Sequence, residues 1–372
     1  MKIDIIHAAA GEGHRKIALA IHEAFERSGR QDLELRLIDA LDHVSPVFKA
    51  TYAPFYYWAV RHASTLWGAG YDVLDHKMVY RLAKPFRSLT NSIHCRPLLK
   101  TVLDHQPDVV ISTHFLSPEI LGRAKKRGCL DAKLITVISD FFPHTFWVNP
   151  GTDRYWVMAD ETKDALAHRG VPSSIITAGG IPVSGAFKPL GKRAEVLKKH
   201  GMEEGRFTIL MTSGSFGLGP QEAILEELRA FQDKVQCFIV CARNEALRKR
   251  LDEKIFYFPV KVFGFVDFMP ELMEASDLII AKSGGSTTSE SLSKNLCMAV
   301  MEPIPGQETR NAKLLKMRDA AFFIKEPRDI HSIMESILKD PTVMTSKNRS
   351  IASLSKPEAA DDLARRVLDG KF

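Results

Sequence analysis

Lys282-Ser283-Gly284-Gly285-Ser286-Thr287-Thr288 follows at once on the apolar run Leu278 to Ala281. Glycines at such a turn let the backbone approach a ligand closely, and hydroxyls with free amides at a helix start suit phosphate oxygens. The next apolar run, Met298 to Glu302, ends in Pro303-Ile304-Pro305-Gly306-Gln307-Glu308, which sets an amide and a carboxylate within reach of hydroxyl groups. A phosphate site and hydroxyl readers at neighbouring strand ends describe a nucleotide-sugar pocket. Thr212-Ser213-Gly214-Ser215, after the run Phe207 to Met211, is a second place for backbone amides to meet a diphosphate. Ala8-Ala9-Ala10-Gly11-Glu12-Gly13-His14 forms a separate constellation, a glycine-bearing loop carrying a histidine. Asp140 and His114 each follow a strand pattern closely, where a side chain can reach a ligand or simply cap a turn.

These residues need strands and helices to place them. Lys2–His7 reads as a strand, followed by a helix over Ile17–Ser28 and a strand over Leu33–Ile38. Pro107 to Thr113 and Lys133–Ser139 continue the rhythm. A second series runs through Phe207–Met211, Val235–Cys241, Val260–Phe263, Leu278–Ala281 and Ala299–Glu302. Alternating strand and helix predicts parallel, doubly wound sheets. The fold class is therefore α/β, with two Rossmann-like halves joined near Phe187–Gly205. Ligands bind such sheets outside the strand C-termini, which predicts an active site in a cleft between the halves. The expected domains are 1–187, 188–355 and a terminal segment 356–372, with a helix over Lys356–Leu368.

A chain of 372 residues, 45% hydrophobic and 26% charged, has the composition of a globular protein. It has no apolar run of 18 residues and opens directly on a strand pattern, which predicts no membrane span and no leader. The five cysteines include no CxxC pair and the thirteen histidines no HExxH group, so reduced thiols in the cytoplasm and no bound metal are expected. The formal charge of +6 is concentrated. Between Val44 and Lys100, eight lysines and arginines face only Asp72 and Asp75, interleaved with Tyr52, Phe55, Tyr56, Tyr57, Trp58 and Trp67. Such a surface suits anionic lipid headgroups. The alternatives are a helical subdomain whose aromatics are core, or base stacking; no nucleic-acid partner is expected.

Gly264-Phe265-Val266, Lys282 to Glu290 and Pro305 to Glu308, in that order, resemble the GF(V/I), K-x-G-G/S-x-T-x-x-E and P-G-Q-E segments of the family-28 glycosyltransferases. That family includes galactolipid and glucolipid synthases and has the two-domain architecture called GT-B. The resemblance implies that Phe265 and Val266 meet uracil through backbone groups. It places Gly214, Ser215, Gly284, Gly285, Ser286 and Thr287 at the diphosphate, Glu290 at the ribose, and Gln307 and Glu308 at the sugar. On the acceptor side it matches Gly11 to His14 to the family's GGGH, with Glu12 where a glycine is usual. Ser139 to Trp147 matches T-D-x-x-x-H-x-x-W in all but the first position. His14 would be the base, Asp140 its partner or an orienting group, and Gly11, Gly13, His114 and His144 acceptor-side residues. Proline is frequent in the family where Ser283 stands.

What the resemblance implies is an inverting transfer of a hexose from a UDP-sugar to a membrane lipid, most directly diacylglycerol. The UDP-sugar is a co-substrate, with no separate cofactor, and the protein is expected on the inner face of the cell membrane. A polyprenyl-linked acceptor, a regulator that binds UDP-sugar without turnover, and an epimerase of the same architecture are the other readings.

Overall fold

The computed structural model describes residues 1–9, 11–212, 219–303 and 305–372, without the side chains of residues 53, 56, 57, 60 and 61. Two all-parallel sheets of six strands form. The first contains β1 (Lys2–His7), β2 (Glu34–Asp39), β3 (Val109–Ser112), β4 (Lys133–Val137), β5 (Arg154–Val157) and β6 (Ile176–Ala178). The second contains β7 (Phe207–Thr212), β8 (Val235–Val240), β9 (Val260–Phe263), β10 (Leu278–Ala281), β11 (Cys297–Met301) and β12 (Ala321–Ile324). Every residue of β3, β8, β10 and β11 is buried, as strands covered by helices on both faces must be. The predicted fold class is the observed one.

Strand order explains where chemistry can sit. The first sheet runs β2-β1-β3-β4-β5-β6, so the chain reverses direction across the sheet between β1 and β3. The second runs β12-β11-β10-β7-β8-β9, with its reversal between β7 and β10. At such a reversal the two adjacent loops leave towards opposite faces, which opens a crevice at the strand C-termini. In the first sheet these loops carry His14 and His114. In the second they carry the segment after Thr212 and the glycine turn at Ser283 to Gly285.

The chain divides into one unit of residues 1–185, 305–310 and 358–372 and another of 186–303 and 311–357. Residues 305–310 were expected with the second half and instead pack in the first unit. The terminal helix, Ala359–Leu368, also belongs there and lies on the first helix, Glu12–Arg27, where Arg27 meets Asp361 at 2.7 Å. Ala360, Leu363 and Ala364 supply its buried stripe at helical spacing.

Helices Pro46–His62, Ser64–Asp75, Lys77–His94 and Arg96–His105 fill the basic, aromatic stretch. Its aromatics divide between two roles. Phe48 and Tyr80 are buried, and Tyr52 packs half-buried against the core. Phe55, Trp58 and Phe86 are exposed. On Lys77–His94, Met78, Leu82, Phe86, Leu89 and Ile93 recur every three or four residues, each 51–78% exposed. No helix among the described residues is long and apolar enough to cross a membrane.

Leu363→Ala should cost about 2–5 kcal/mol, the range for emptying a buried leucine site. Urea unfolding checks it; a loss below about 1 kcal/mol would mean that the terminal helix carries little of the first unit's stability.

Candidate active site

His14 lies in the first turn of Glu12–Arg27, directly after β1. Its Nδ1 is 2.7 Å from the carbonyl oxygen of Thr113, at the end of β3. A carbonyl only accepts, so Nδ1 carries the proton and the Nε2 lone pair is left for chemistry. Thr113 Oγ1 donates back to the His14 carbonyl at 2.9 Å, which fixes ring and backbone together. Burial lowers the His14 pKa to about 4; the Thr113 bond opposes this and His7 adds to it. The imidazole is thus neutral at physiological pH.

His114 stands edge-on to His14, with ring centroids 4.7 Å apart. Its Nδ1 accepts from the Leu116 amide at 3.2 Å, which leaves the proton on Nε2. Burial, then the neighbouring His14 and His7, hold its pKa well below the usual histidine value. The structure therefore brings two neutral histidines of opposite tautomer to the reversal point of the first sheet.

Asp140 follows β4 and is buried. Trp147 Nε1 donates to its Oδ2 at 2.7 Å, and the side-chain amide of Gln307 donates to Oδ1. Ser139 Oγ lies between the two groups, 3.4 Å from His14 Nδ1 and 3.5 Å from Asp140 Oδ1. Burial raises the Asp140 pKa to about 6, against the bonds from Trp147 and Gln307 and the Arg310 charge, which lower it. A carboxylate held this way supplies negative charge near the His14 ring, with Ser139 Oγ between them, and would favour an imidazolium there.

His144 has both nitrogens engaged. Nδ1 accepts from the Phe146 amide at 3.1 Å, and Nε2 donates to the Tyr71 carbonyl at 2.9 Å. Its burial lowers the pKa to about 4. It ties the Asp140 loop to helix Ser64–Asp75, and so supports the site from behind. Gly11 caps Glu12–Arg27 with open space beside its Cα, while Gly13 sits in the first turn, half-buried. Glu12, the residue that departs from the family pattern, faces Arg15 at 3.9 Å.

In the second unit, Gly284 caps helix Gly285–Ser293, with Ser286 and Thr287 half-buried in its first turn. Asn311 Nδ2 donates to the Ser283 carbonyl at 2.8 Å, which ties the turn to the neighbouring helix, Gln307–Met317, in the absence of proline. Glu290 is buried one turn further on and accepts from Ser286 Oγ at 2.9 Å, so it is no solvated surface residue. Phe265 is 71% exposed just past β9, beside a half-buried Val266; it is not a core aromatic. Gly214 and Ser215 lie outside the described residues. Glu308 is half-buried in the first turn of Gln307–Met317, whereas Gln307 is on Asp140.

Sequence reading missed Asp75 and Arg310. Asp75 accepts from the Thr145 amide at 2.7 Å and from Arg169 at 2.8 and 2.7 Å, and Arg310 reaches it at 2.8 Å. Burial alone would raise its pKa, but the Arg169 and Thr145 bonds outweigh it and hold the carboxyl well below the usual range. For Asp75, being one of only two acids in a basic stretch was the available signal.

Two parallel sheets of six strands, one with histidines at its reversal point and the other with a glycine turn at its own, are the architecture of a GT-B protein. Solved structures of that shape agree: MurG of Acinetobacter baumannii is 15% identical, with 99% of each chain covered and a TM-score of 0.61. UDP-GlcNAc 2-epimerase of Neisseria meningitidis, bound to UDP-GlcNAc, is 13% identical, covering 99% of this chain and all of its own, with a TM-score of 0.62. HepE of Anabaena in complex with UDP gives 12% identity, full coverage of both chains and a TM-score of 0.58. The family is narrower than the fold. Residues 14–183 match the monogalactosyldiacylglycerol synthase model, and residues 208–367 the glycosyltransferase family 28 C-terminal domain. The chain belongs to the family-28 glycosyltransferases. Among similar proteins, the processive diacylglycerol beta-glucosyltransferases of Bacillus cereus and Bacillus thuringiensis are each 26% identical over 99% of this chain and 93% of theirs.

Asp140 has a testable signature. Its folded pKa, about 6, lies above the ordinary 3.8, so its contribution is present below 3.8 and lost as pH rises through 6. The stability of the protein relative to Asp140→Asn should fall by on the order of 2–3 kcal/mol between pH 4 and 7.5. Parallel stability–pH curves for the two proteins would show that Asp140 is not held in a desolvated site.

Proposed function

We propose that the protein is an inverting glycosyltransferase that moves a hexose from a UDP-sugar to a membrane lipid, diacylglycerol in the first instance. The observation that carries the reading is His14: a neutral imidazole, its proton fixed on Nδ1, with Nε2 available as base. In the reaction, Nε2 takes the proton of the acceptor hydroxyl while that oxygen attacks the anomeric carbon. The bond from this carbon to the phosphate oxygen breaks, and UDP leaves with the electron pair. One displacement from an α-linked UDP-hexose gives a β-linked product, the linkage named in the Bacillus relatives. Amides of the Gly284–Thr287 helix start and of the Gly214–Ser215 loop would stabilise the diphosphate. Gln307 and Glu308 would read sugar hydroxyls, Glu290 the ribose, and the backbone at Phe265 and Val266 the uracil. His114 would donate from Nε2 to the acceptor side. No resident cofactor enters this scheme.

The lipid acceptor has its own support. Met78, Leu82, Phe86, Leu89 and Ile93 form one exposed apolar face of Lys77–His94, with Arg81 exposed on the same helix and Phe55 and Trp58 on the neighbouring Pro46–His62. Aliphatic and aromatic groups entering the headgroup boundary beside cations are the signature of a helix lying in a membrane interface. Arg87 takes no part: it is turned inward to Glu119 at 2.9 Å and Tyr80 Oη at 2.8 Å. The protein would be cytoplasmic and held peripherally on the inner face of the cell membrane.

His14→Ala should lower turnover of UDP-glucose with diacylglycerol about a hundredfold or more, while calorimetry shows UDP still bound. Near wild-type turnover would move the base elsewhere.

Leu82→Ser with Phe86→Ser should release the protein from anionic vesicles in flotation, at unchanged UDP affinity. Binding of the wild type should weaken as salt rises. Equal flotation of variant and wild type would leave this face without a docking role.

A further inference from the structure

Gln307 is the first residue of its helix, and Arg310 lies three residues on, over the same face. Arg310 Nη1 meets Asp75 Oδ2 at 2.8 Å and Nη2 meets Asp72 Oδ1 at 2.8 Å. Its guanidinium carbon lies 5.0 Å from the centre of the Tyr71 ring. Both terminal nitrogens thus bond carboxylates of helix Ser64–Asp75. Just before the helix, Gly306 has φ +104, and any side chain there would meet the Tyr71 ring at 3.3 Å. Pro305 packs on Gly68, where even a methyl group would collide with it. The start of Gln307–Met317 is therefore held on its axis at a set rotation, and that rotation decides where the Gln307 amide projects.

We propose that Arg310 is the positioning residue for donor-sugar discrimination: by binding Asp72 and Asp75 it aims the amide of Gln307. The inference rests on the reading of Gln307 as a sugar-contacting residue. Helix rotation is about 100° per residue, so a first turn freed from its ion pairs loses the aim of a single amide while its peptide bonds stay intact. The uridine and diphosphate contacts, made by other residues, are unaffected. Arg310 therefore separates recognition of the hexose from recognition of the nucleotide.

Calorimetry on the full chain with UDP-glucose and with UDP tests this. Wild type should prefer UDP-glucose. Arg310→Ala should cut that preference by about fivefold, as for a lost hydrogen bond, with the Kd for UDP within about twofold. Arg310→Lys, able to keep one ion pair, should recover part of it. In the double variant with Gln307→Ala, the loss should be no greater than for Gln307→Ala alone. An undiminished preference in Arg310→Ala, or equal weakening for both ligands, overturns the role. Should Arg310→Ala lose its fold by circular dichroism, Asp72→Ala removes only the Nη2 partner; it must shift the preference the same way, and no shift there overturns the proposal as well. A wild type that binds UDP and UDP-glucose equally would remove Gln307 from the sugar and this inference with it.

Discussion

The carboxylate of Asp75 is the interaction on which the first unit's site depends. Three elements distant in sequence converge on it: the Thr145 amide beyond the Asp140 loop, Arg169, and Arg310. Asp75 is the last residue of its helix, where backbone carbonyls already make the surroundings negative. A carboxylate there is stable only with cations around it, and two arginines answer that need. In return the carboxylate fixes where Thr145, and hence Trp147, can lie. Trp147 and Gln307 are the two donors that keep Asp140 in place. One acid thus determines the environment of another.

His14 shows how topology and hydrogen bonding divide the work. The reversal between β1 and β3 brings loops from separate helices side by side, and that alone makes Thr113 a neighbour of His14. The carbonyl then selects the tautomer. Had the imidazole faced a backbone amide, as His114 does at Leu116, its free nitrogen would have carried the proton and lost its use as a base. Two histidines at one crevice therefore differ in chemical competence through the sign of one backbone dipole.

Much of this was legible beforehand. Lys2–His7, Val260–Phe263 and Leu278–Ala281 are strands over the residues read from their apolar patterns. The helix after β1 begins at Glu12, not Ile17, because glycine and charge obscure the periodicity in a turn whose face is a site. Arg154–Val157, Ile176–Ala178 and Ala321–Ile324 were missed; three or four residues show no period by themselves, and no motif follows these runs as Gly264-Phe265-Val266 follows Val260–Phe263 and the Lys282 to Glu290 segment follows Leu278–Ala281. Gln307 beside Asp140, and the inward Arg87 in a stretch read as basic surface, are contacts between parts of the chain far apart, which no local pattern encodes.

The fold alone does not separate transfer from epimerisation, since the Neisseria epimerase matches as well as MurG does. The separation lies in the helical stretch from Pro46 to His105. A water-soluble nucleotide sugar as sole substrate gives no reason to leave five large apolar side chains of one helix facing solvent, a face that costs solubility and invites association. A lipid acceptor does give one, because its hydroxyl must be reached at a bilayer surface. The same stretch contains Asp72 and Asp75, which hold the Gln307 loop in the same unit. The helices that would meet the lipid and the contacts that would aim at the sugar are therefore one piece of structure, which is the economy expected where both substrates must be gathered for a single displacement.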